Sequence, residues 1–331
     1  MTQKKSRMKF AVIGFGIFGV KRLVPGFSLS TQGTIHAITK RNKKAAEKHA
    51  KKHNIPLAYT YEEIDDLLQN EDIKAVAIAT PNALHKRDTI KALKAKKHVL
   101  LEKPMGMNAR ECQEMAKIAK ETKTHLMVAH CLRFNDTVNF FKKTIESGEL
   151  GDLVSLTADY CFNGHQSSRE WLFSKRLAGG GAAFDIGVHA IDTIRYISGK
   201  DVISAEAISF PRSKERKSDE VETNASFHLK MSDNVAARAF CSFETNYHTF
   251  LEAIGTKGTI RAHKWTLIDS DVEVVKILGD KKKSFRVRNE NQYARQIDAF
   301  VDAINGERKN PIPPAEGVIN QRIIDLVNRQ D

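Results

Sequence analysis

Three glycines at a fixed spacing, in the stretch Gly14-Phe15-Gly16-Ile17-Phe18-Gly19, follow directly on the apolar run Met8–Ile13. The run has a β-branched centre and stops at glycine, as a buried parallel strand does. The stretch to about Leu29 then reads as a helix interrupted early by Pro25, and residues 34–39 read as a second strand. That strand, tight turn and helix make one β-α-β unit. In this setting each glycine has a reason: the first permits the turn, the second lets backbone approach an anion, and the third lets the helix pack closely beneath it. The spacing is that of a dinucleotide-binding turn, and the setting makes the signal specific. Cofactor contacts are therefore expected from Gly14, Gly16, Ile17, Phe18 and Gly19.

The alternation continues. Residues 74–80, 98–104 and 125–130 read as further strands, while 43–53, 85–97 and 109–123 carry helical apolar spacing. The first ~125 residues thus predict an open, mostly parallel sheet with helices on both faces. After about residue 150 the pattern changes: 153–162, 203–210, 223–231, 235–245 and 250–256 read as successive strands of a mostly antiparallel sheet. One helix, 183–198, interrupts them behind Gly179-Gly180-Gly181, and another covers 293–305 before the proline-rich NPIPPAEG and a final short helix. A chain of 331 residues suits two domains, 1–126 and 127–331, the first α/β and the second α+β.

Composition narrows the partners. Lys and Arg number 53 against 40 Asp and Glu, a net charge of +13. The densest cluster, Lys40, Lys43, Lys44, Lys48, Lys51 and Lys52, has no interleaved aromatics for base stacking, so it reads as a solvated helix face, and no nucleic acid is expected. The surplus favours anionic small molecules. No apolar run approaches the ~20 residues of a membrane span, and the polar start lacks a signal peptide, so a cytoplasmic location is expected. Cys112, Cys131, Cys161 and Cys241 lie far apart without a metal-ligand spacing, and are read as reduced and buried, with no metal site.

About 20 residues past the glycine turn, NAD-binding chains place a carboxylate for the ribose hydroxyls. Here the segment is Thr39-Lys40-Arg41-Asn42, without an acid. A hydroxyl with two adjacent cations suits a 2′-phosphate, so NADP(H) is favoured, with NAD(H) the alternative.

At Glu102-Lys103-Pro104, after TPNALH at 80–85, the chain resembles the glucose-fructose oxidoreductase / inositol dehydrogenase / rhizopine catabolism (Gfo/Idh/MocA) family. The resemblance covers nearly the whole chain, through Arg133-Phe134, AGGGAAFDIGVHAID at 178–192, Gly255-Thr256-Lys257-Gly258 and YARQIDAFVDAI at 293–304. It implies an N-terminal Rossmann fold joined to a C-terminal open-faced, mostly antiparallel sheet domain, which pairs subunits into a homodimer or homotetramer. It implies an NAD(P)-dependent dehydrogenase or reductase acting on CH–OH groups of a carbohydrate-like substrate. Lys103, Asp185 and His189 are the implied catalytic set. Thr80, Pro81, Asn82 and His85 are implied on the adenosine and ribose side, Glu102 near the nicotinamide ribose, and Lys103 and Arg133 among the cofactor contacts. The chemistry agrees: oxidising a secondary alcohol removes a hydroxyl proton as hydride leaves carbon, and histidine titrates near neutrality. Asp185 precedes His189 by four residues, which on a helix puts both on one face, with Ile186, Ala190, Ile194 and Ile197 opposite. One departure concerns Leu172 after Trp171, where many relatives carry arginine; Arg169 or Arg176 are the candidates to replace that cation. The sugar pocket is expected from loops at about 163–171 and 210–222. Competing expectations are a non-catalytic nucleotide or sugar sensor, a nicotinamide-assisted glycosidase and a reductase of non-sugar carbonyls.

Overall fold

A computed structural model describes residues 6–210 and 221–329, so most of the expected pocket loop at 210–222 lies outside the described residues. The chain forms two compact units. One ends at Ala129 and regains Tyr293–Ile319; the other comprises His130–Gln292 and the chain from Asn320 onward.

In the first unit six strands form a sheet: β1 Met8–Ile13, β2 Gly33–Lys40, β3 Leu57–Thr60, β4 Ala75–Ile78, β5 His98–Glu102 and β6 Leu126–Ala129. Their order is β3-β2-β1-β4-β5-β6 and every pair is parallel. Both faces are covered, so Phe10–Ile13 and Ala75–Ile78 are wholly buried rather than alternating. The order reverses between β1 and β4, the crevice where ligands bind in such sheets. Because all strands are parallel, Gly14, Arg41, Thr80 and Lys103 leave the sheet at the same carboxyl edge.

The helices here are α1 Val24–Leu29, α2 Lys43–Lys52, α3 Ile64–Gln69, α4 Asn82–Lys94 and α5 Ala109–Thr122. The expected interruption at Pro25 is a junction: a π-helical turn, Gly19–Leu23, runs into α1, and the proline stands in the first turn of α1, where its missing N–H costs nothing. Asn42 and Asn108 start α2 and α5 by accepting the N–H of Ala45 and Glu111, each at 3.0 Å. On α2, Ala46 and Ala50 are buried while Lys43, Lys44, Lys48, Lys51 and Lys52 are exposed, so five of the six clustered lysines form a solvated face and Lys40, half-buried, ends β2. The strand β3 and the helix α3 were not expected; four half-buried residues, LAYT, at a sheet edge leave little apolar signal.

In the second unit α6 Asp136–Glu146 precedes β7 Leu153–Asn163, and α7 Lys175–Ala178 and α8 Val188–Ser198 follow. The remaining strands are β8 Val202–Phe210, β9 Asn224–Met231, β10 Ala236–Ser242, β11 Glu244–Gly255, β12 Gly258–His263, β13 Ser270–Leu278 and β14 Lys281–Asn289. They form one sheet, β14-β13-β12-β11-β7-β10-β9-β8, antiparallel except for the β7–β10 pair. Leu156, Ala158, Phe227, Leu229, Ala239 and Leu251 are buried on one face, and α8 packs there against β7 and β10. The alternate residues Glu206, His228, Arg238, Glu252 and Arg261 give the other face its polarity. The hairpin β13–β14 and the strand β12 were not expected, because charged residues alternate through KSFRVRN and mask the strand period.

Two last helices are α9 Gln292–Ile304 and α10 Pro314–Ile324. Through α9 the chain regains the first unit, whereas the sequence reading draws one boundary at 126/127. Phe300 of α9 lies against Phe10 at 6.2 Å, and Asp298 accepts hydrogen bonds from the Thr31 and Gln32 N–H groups at 3.1 Å each. Ile297 fills the space over Gly33, where a Cβ would stand 2.6 Å from its Cγ2.

Within the second unit Asn289, fully buried, ties three segments together. Its Oδ1 accepts from the Thr137 N–H and hydroxyl at 2.9 and 2.8 Å, and its Nδ2 donates to Leu267 O at 2.8 Å. Asn289→Ala orphans these groups in the interior and is expected to destabilise the fold by about 3 kcal/mol, read by denaturant or thermal unfolding; a change below 0.5 kcal/mol, about that of an ordinary surface substitution, would show the network to be dispensable.

Candidate functional site

The glycine turn is built by close approach. Gly14 has φ +87°, and a Cβ there would lie 2.7 Å from Thr80 N and 2.8 Å from the Ala79 carbonyl carbon. Only glycine meets both demands. From below, Thr39 holds the turn twice: its Oγ1 accepts the Gly14 N–H at 3.0 Å and its carbonyl accepts the Phe15 N–H at 3.0 Å. Gly16 is exposed, and a Cβ on it would meet nothing nearer than Gly14 O at 3.9 Å. The space a side chain would fill is open, which fits a pyrophosphate brought against backbone. Ile17 is exposed beside it, while Phe18 packs edge-on to Tyr293 at 5.8 Å, and Gly19 admits the Phe15 ring at 3.0 Å from its absent Cβ.

The segment after β2 divides its labour. Thr39 is fully buried and supports the turn, instead of offering its hydroxyl to a phosphate as expected. Lys40 donates its Nζ to Phe15 O at 2.7 Å, and partial burial, then the neighbouring Arg41, lowers its pKa. Arg41 is exposed at the strand end.

On the β4–α4 loop, Pro81 is half-buried and Asn82 buried. Thr80 donates its hydroxyl to Asp88 at 3.0 Å. His85 is 1% exposed, with Nδ1 2.8 Å from Pro104 O and Nε2 3.0 Å from Thr80 O. Burial drives its pKa down to about 4 against the pull of the two carbonyls, so the ring is neutral at pH 7. The neutral ring carries one N–H and donates it to one of the two carbonyls between which it lies, so His85, expected on the adenosine side, sits buried between the loop of Thr80 and that of Lys103. Glu102 and Lys103 follow half-buried at the end of β5, with a cis peptide between Lys103 and Pro104.

In the second unit the expected continuous helix 183–198 is a π-helical turn, Ala183–Gly187, leading into α8, so Asp185 and His189 stand on different kinds of helix. Asp185 is buried and receives Arg169 in a two-pronged pair at 3.1 and 2.9 Å. Leu172 is 2% exposed, a packing residue, and of the two candidate cations Arg169 is the one paired with Asp185. His189 is half-buried, its ring centroid 5.9 Å from that of Tyr160 on β7. The stripe Ile186, Ala190, Ile194 and Ile197 is buried as expected.

Arg133, expected as a cofactor contact, grips Asp192 with Nε at 2.9 Å and Nη2 at 2.7 Å. Asp192 is buried and also accepts from Asn320 at 2.8 Å. Burial alone would raise its pKa, but Arg133, His130 and Asn320 outweigh it and hold the carboxyl well below the usual carboxylate range. Sequence reasoning passed over Asp192; a lone acid within the apolar rhythm of α8 was the available signal. Among the described residues no group of three or more His, Cys, Asp or Glu is placed to hold a metal ion.

His85 makes a sign-defined prediction. Its folded pKa lies below the unfolded value, so the unfolded chain binds more protons between about pH 6.5 and 4, and stability falls as pH falls through that window. His85→Gln is expected to be less stable at pH 7.5, with the gap to the parent shrinking by about 3 kcal/mol towards pH 4. A gap constant with pH, measured by unfolding across the window, would contradict a buried neutral ring.

The comparisons with known proteins agree with this geometry. Residues 8–130 match the model of an oxidoreductase family with an NAD-binding Rossmann fold, and residues 138–261 match the Gfo/Idh/MocA C-terminal domain. The chain is 26% identical over 310 residues to the 1,5-anhydro-D-fructose reductase of Ensifer adhaerens, covering 92% of each. It is 31% identical over 238 residues to the trans-1,2-dihydrobenzene-1,2-diol dehydrogenase of Mus musculus, covering 71% of this chain and 68% of that one. The crystal structure of aldose-aldose oxidoreductase from Caulobacter crescentus, complexed with glycerol, shares the fold with a TM-score of 0.91 over 98% of this chain and 97% of that one, at 24% identity. With an N-terminal and a C-terminal family model matched in order along one polypeptide, the chain belongs to the Gfo/Idh/MocA family of oxidoreductases.

Proposed function

We propose that this chain is an NADP(H)-preferring dehydrogenase or reductase that moves hydride between nicotinamide and a CH–OH carbon of a sugar, cyclitol or related substrate. The observation that carries the reading is the convergence of Gly14, Arg41, Thr80 and Lys103 on one edge of a parallel sheet, at the point where its strand order reverses. The anhydrosugar reductase, similar along nearly its whole length, supports a carbohydrate-like substrate.

Residues 1–126 hold the cofactor in this reading, and 127–331 hold the substrate and pair with a second copy through the open sheet face, in a cytoplasmic homodimer or homotetramer. The glycine turn takes the pyrophosphate on backbone N–H groups, and Lys40 and Arg41 take the 2′-phosphate. When bound, the nicotinamide supplies the carbon that accepts or returns hydride. His189 is the main acid/base: in oxidation its imidazole takes the hydroxyl proton, and in reduction the imidazolium returns it. Lys103 donates a hydrogen bond to the reacting oxygen and shares that transfer. Asp185, fixed by Arg169, orients the substrate from the side of His189.

Lys103→Ala and His189→Ala are each expected to lower kcat/KM about 100-fold or more. Tight NADPH binding, measured by nucleotide fluorescence, should survive both changes and exceed NADH binding in the parent. Full turnover by either variant would overturn the acid/base assignment, and equal or reversed affinity for the two nucleotides would overturn the phosphate reading.

A further inference from the structure

Beyond Lys40 and Arg41, a third cation is held at the same strand end. Tyr61 follows β3 directly, and its N–H donates to Lys40 O at 2.9 Å, which puts Tyr61 beside the Lys40-Arg41 pair. Asp88, on the second turn of α4, is 1% exposed. One of its oxygens accepts the Tyr61 hydroxyl; the other accepts the Thr80 hydroxyl at 3.0 Å. Burial raises the pKa of the phenol above its ordinary value, the Asp88 hydrogen bond adds to this, and Tyr61 therefore remains a donor at neutral pH. Arg87 donates its Nη2 to the same phenolic oxygen, sets its Nε 3.4 Å from Asp88 Oδ1, and holds its guanidinium carbon 5.1 Å from the Tyr61 ring centroid. Its side chain is nevertheless 60% exposed.

An exposed arginine normally samples many rotamers, and fixing it carries an entropic cost. Here a buried carboxylate positions a phenol, and carboxylate and phenol together position a guanidinium whose side chain stays mostly exposed. That is the arrangement of a preorganised anion fork rather than of a solubilising surface charge. The same carboxylate grips Thr80, whose backbone closes on Gly14, so the fork is referenced to the phosphate turn itself.

We propose that Arg87 is a cofactor-specificity residue that binds the adenosine 2′-phosphate of NADP(H), completing a rim with Lys40 and Arg41. Tyr61 and Asp88 are positioning residues for it. The inference rests on the NADP(H) reading above and adds to it a residue on α4, far in sequence from the segment after β2.

The test is calorimetric titration of the full chain with NADPH, NADH and adenosine 2′,5′-bisphosphate, with thermal unfolding as a check on folding. Arg87→Ala is expected to weaken NADPH and the bisphosphate at least tenfold while changing NADH less than twofold. Tyr61→Phe, which keeps the ring and loses the hydroxyl, should weaken NADPH by a smaller factor in the same selective way. Arg87→Lys, which keeps the charge and loses the fork, should fall between parent and Arg87→Ala. A parent that binds NADH as tightly as NADPH would overturn both the cofactor reading and this proposal. A parent selective for NADPH, with Arg87→Ala equally selective or weakened equally for both nucleotides, would overturn the role of Arg87 alone.

Discussion

The close approach of the β1 and β4 ends, with Gly14 at positive φ against the Thr80 backbone, is the constraint on which the rest of the site depends. No side chain fits between them, so the turn is held by hydrogen bonds from Thr39 below and by Thr80 beside it. Thr80 is in turn held through its hydroxyl by Asp88, and the buried His85 ring lies between Thr80 O and Pro104 O, donating its one N–H to one of them. A continuous chain of short contacts therefore runs from the glycine turn to the carbonyl of Pro104, next to Lys103. The cradle and the lysine share one rigid support, and displacement of either is resisted by buried groups that would lose their partners.

Buried charge does similar work in the second unit. Asp185 and Asp192 flank His189 in sequence, and both are buried acids matched by arginine forks, from Arg169 and Arg133. Such pairs add little net stability over apolar packing, yet breaking one leaves an uncompensated charge at a cost of about 3–5 kcal/mol. Their value lies in geometry: two fixed carboxylates about two turns apart restrict how the segment carrying the histidine can be placed.

The layered architecture was legible because β1, β4, β5 and β6 are buried on both faces and must therefore be continuously apolar. The edge strand β3 and the hairpin β13–β14 were not, since each meets solvent on at least one face and its sequence alternates or is mixed. Helix α6 went unseen although Asn135 caps it through the Val138 N–H, as its apolar positions are interleaved with threonine and lysine. Within the site, the glycine turn, Gly14 to Gly19, was readable from spacing, whereas Lys103, Asp185 and His189 were singled out only by the family resemblance. The partners were legible in neither way, for a side chain's direction is set by tertiary packing: Thr39 and His85 turn inward, Arg133 turns to Asp192, and Tyr61 reaches Asp88 across 27 residues. Residues that hold other residues leave no local period and appear only when strands are paired.

The most direct measurement of the central claim is hydride tracking. The purified chain, with NADP⁺, is offered a panel of pyranoses, pentoses and cyclitols deuterated at their carbinol carbons. Transfer of deuterium from carbon to the recovered nicotinamide, with the matching carbonyl product, is the result predicted for at least one substrate of this class. Bound nucleotide with no deuterium transferred from any of them would contradict the account.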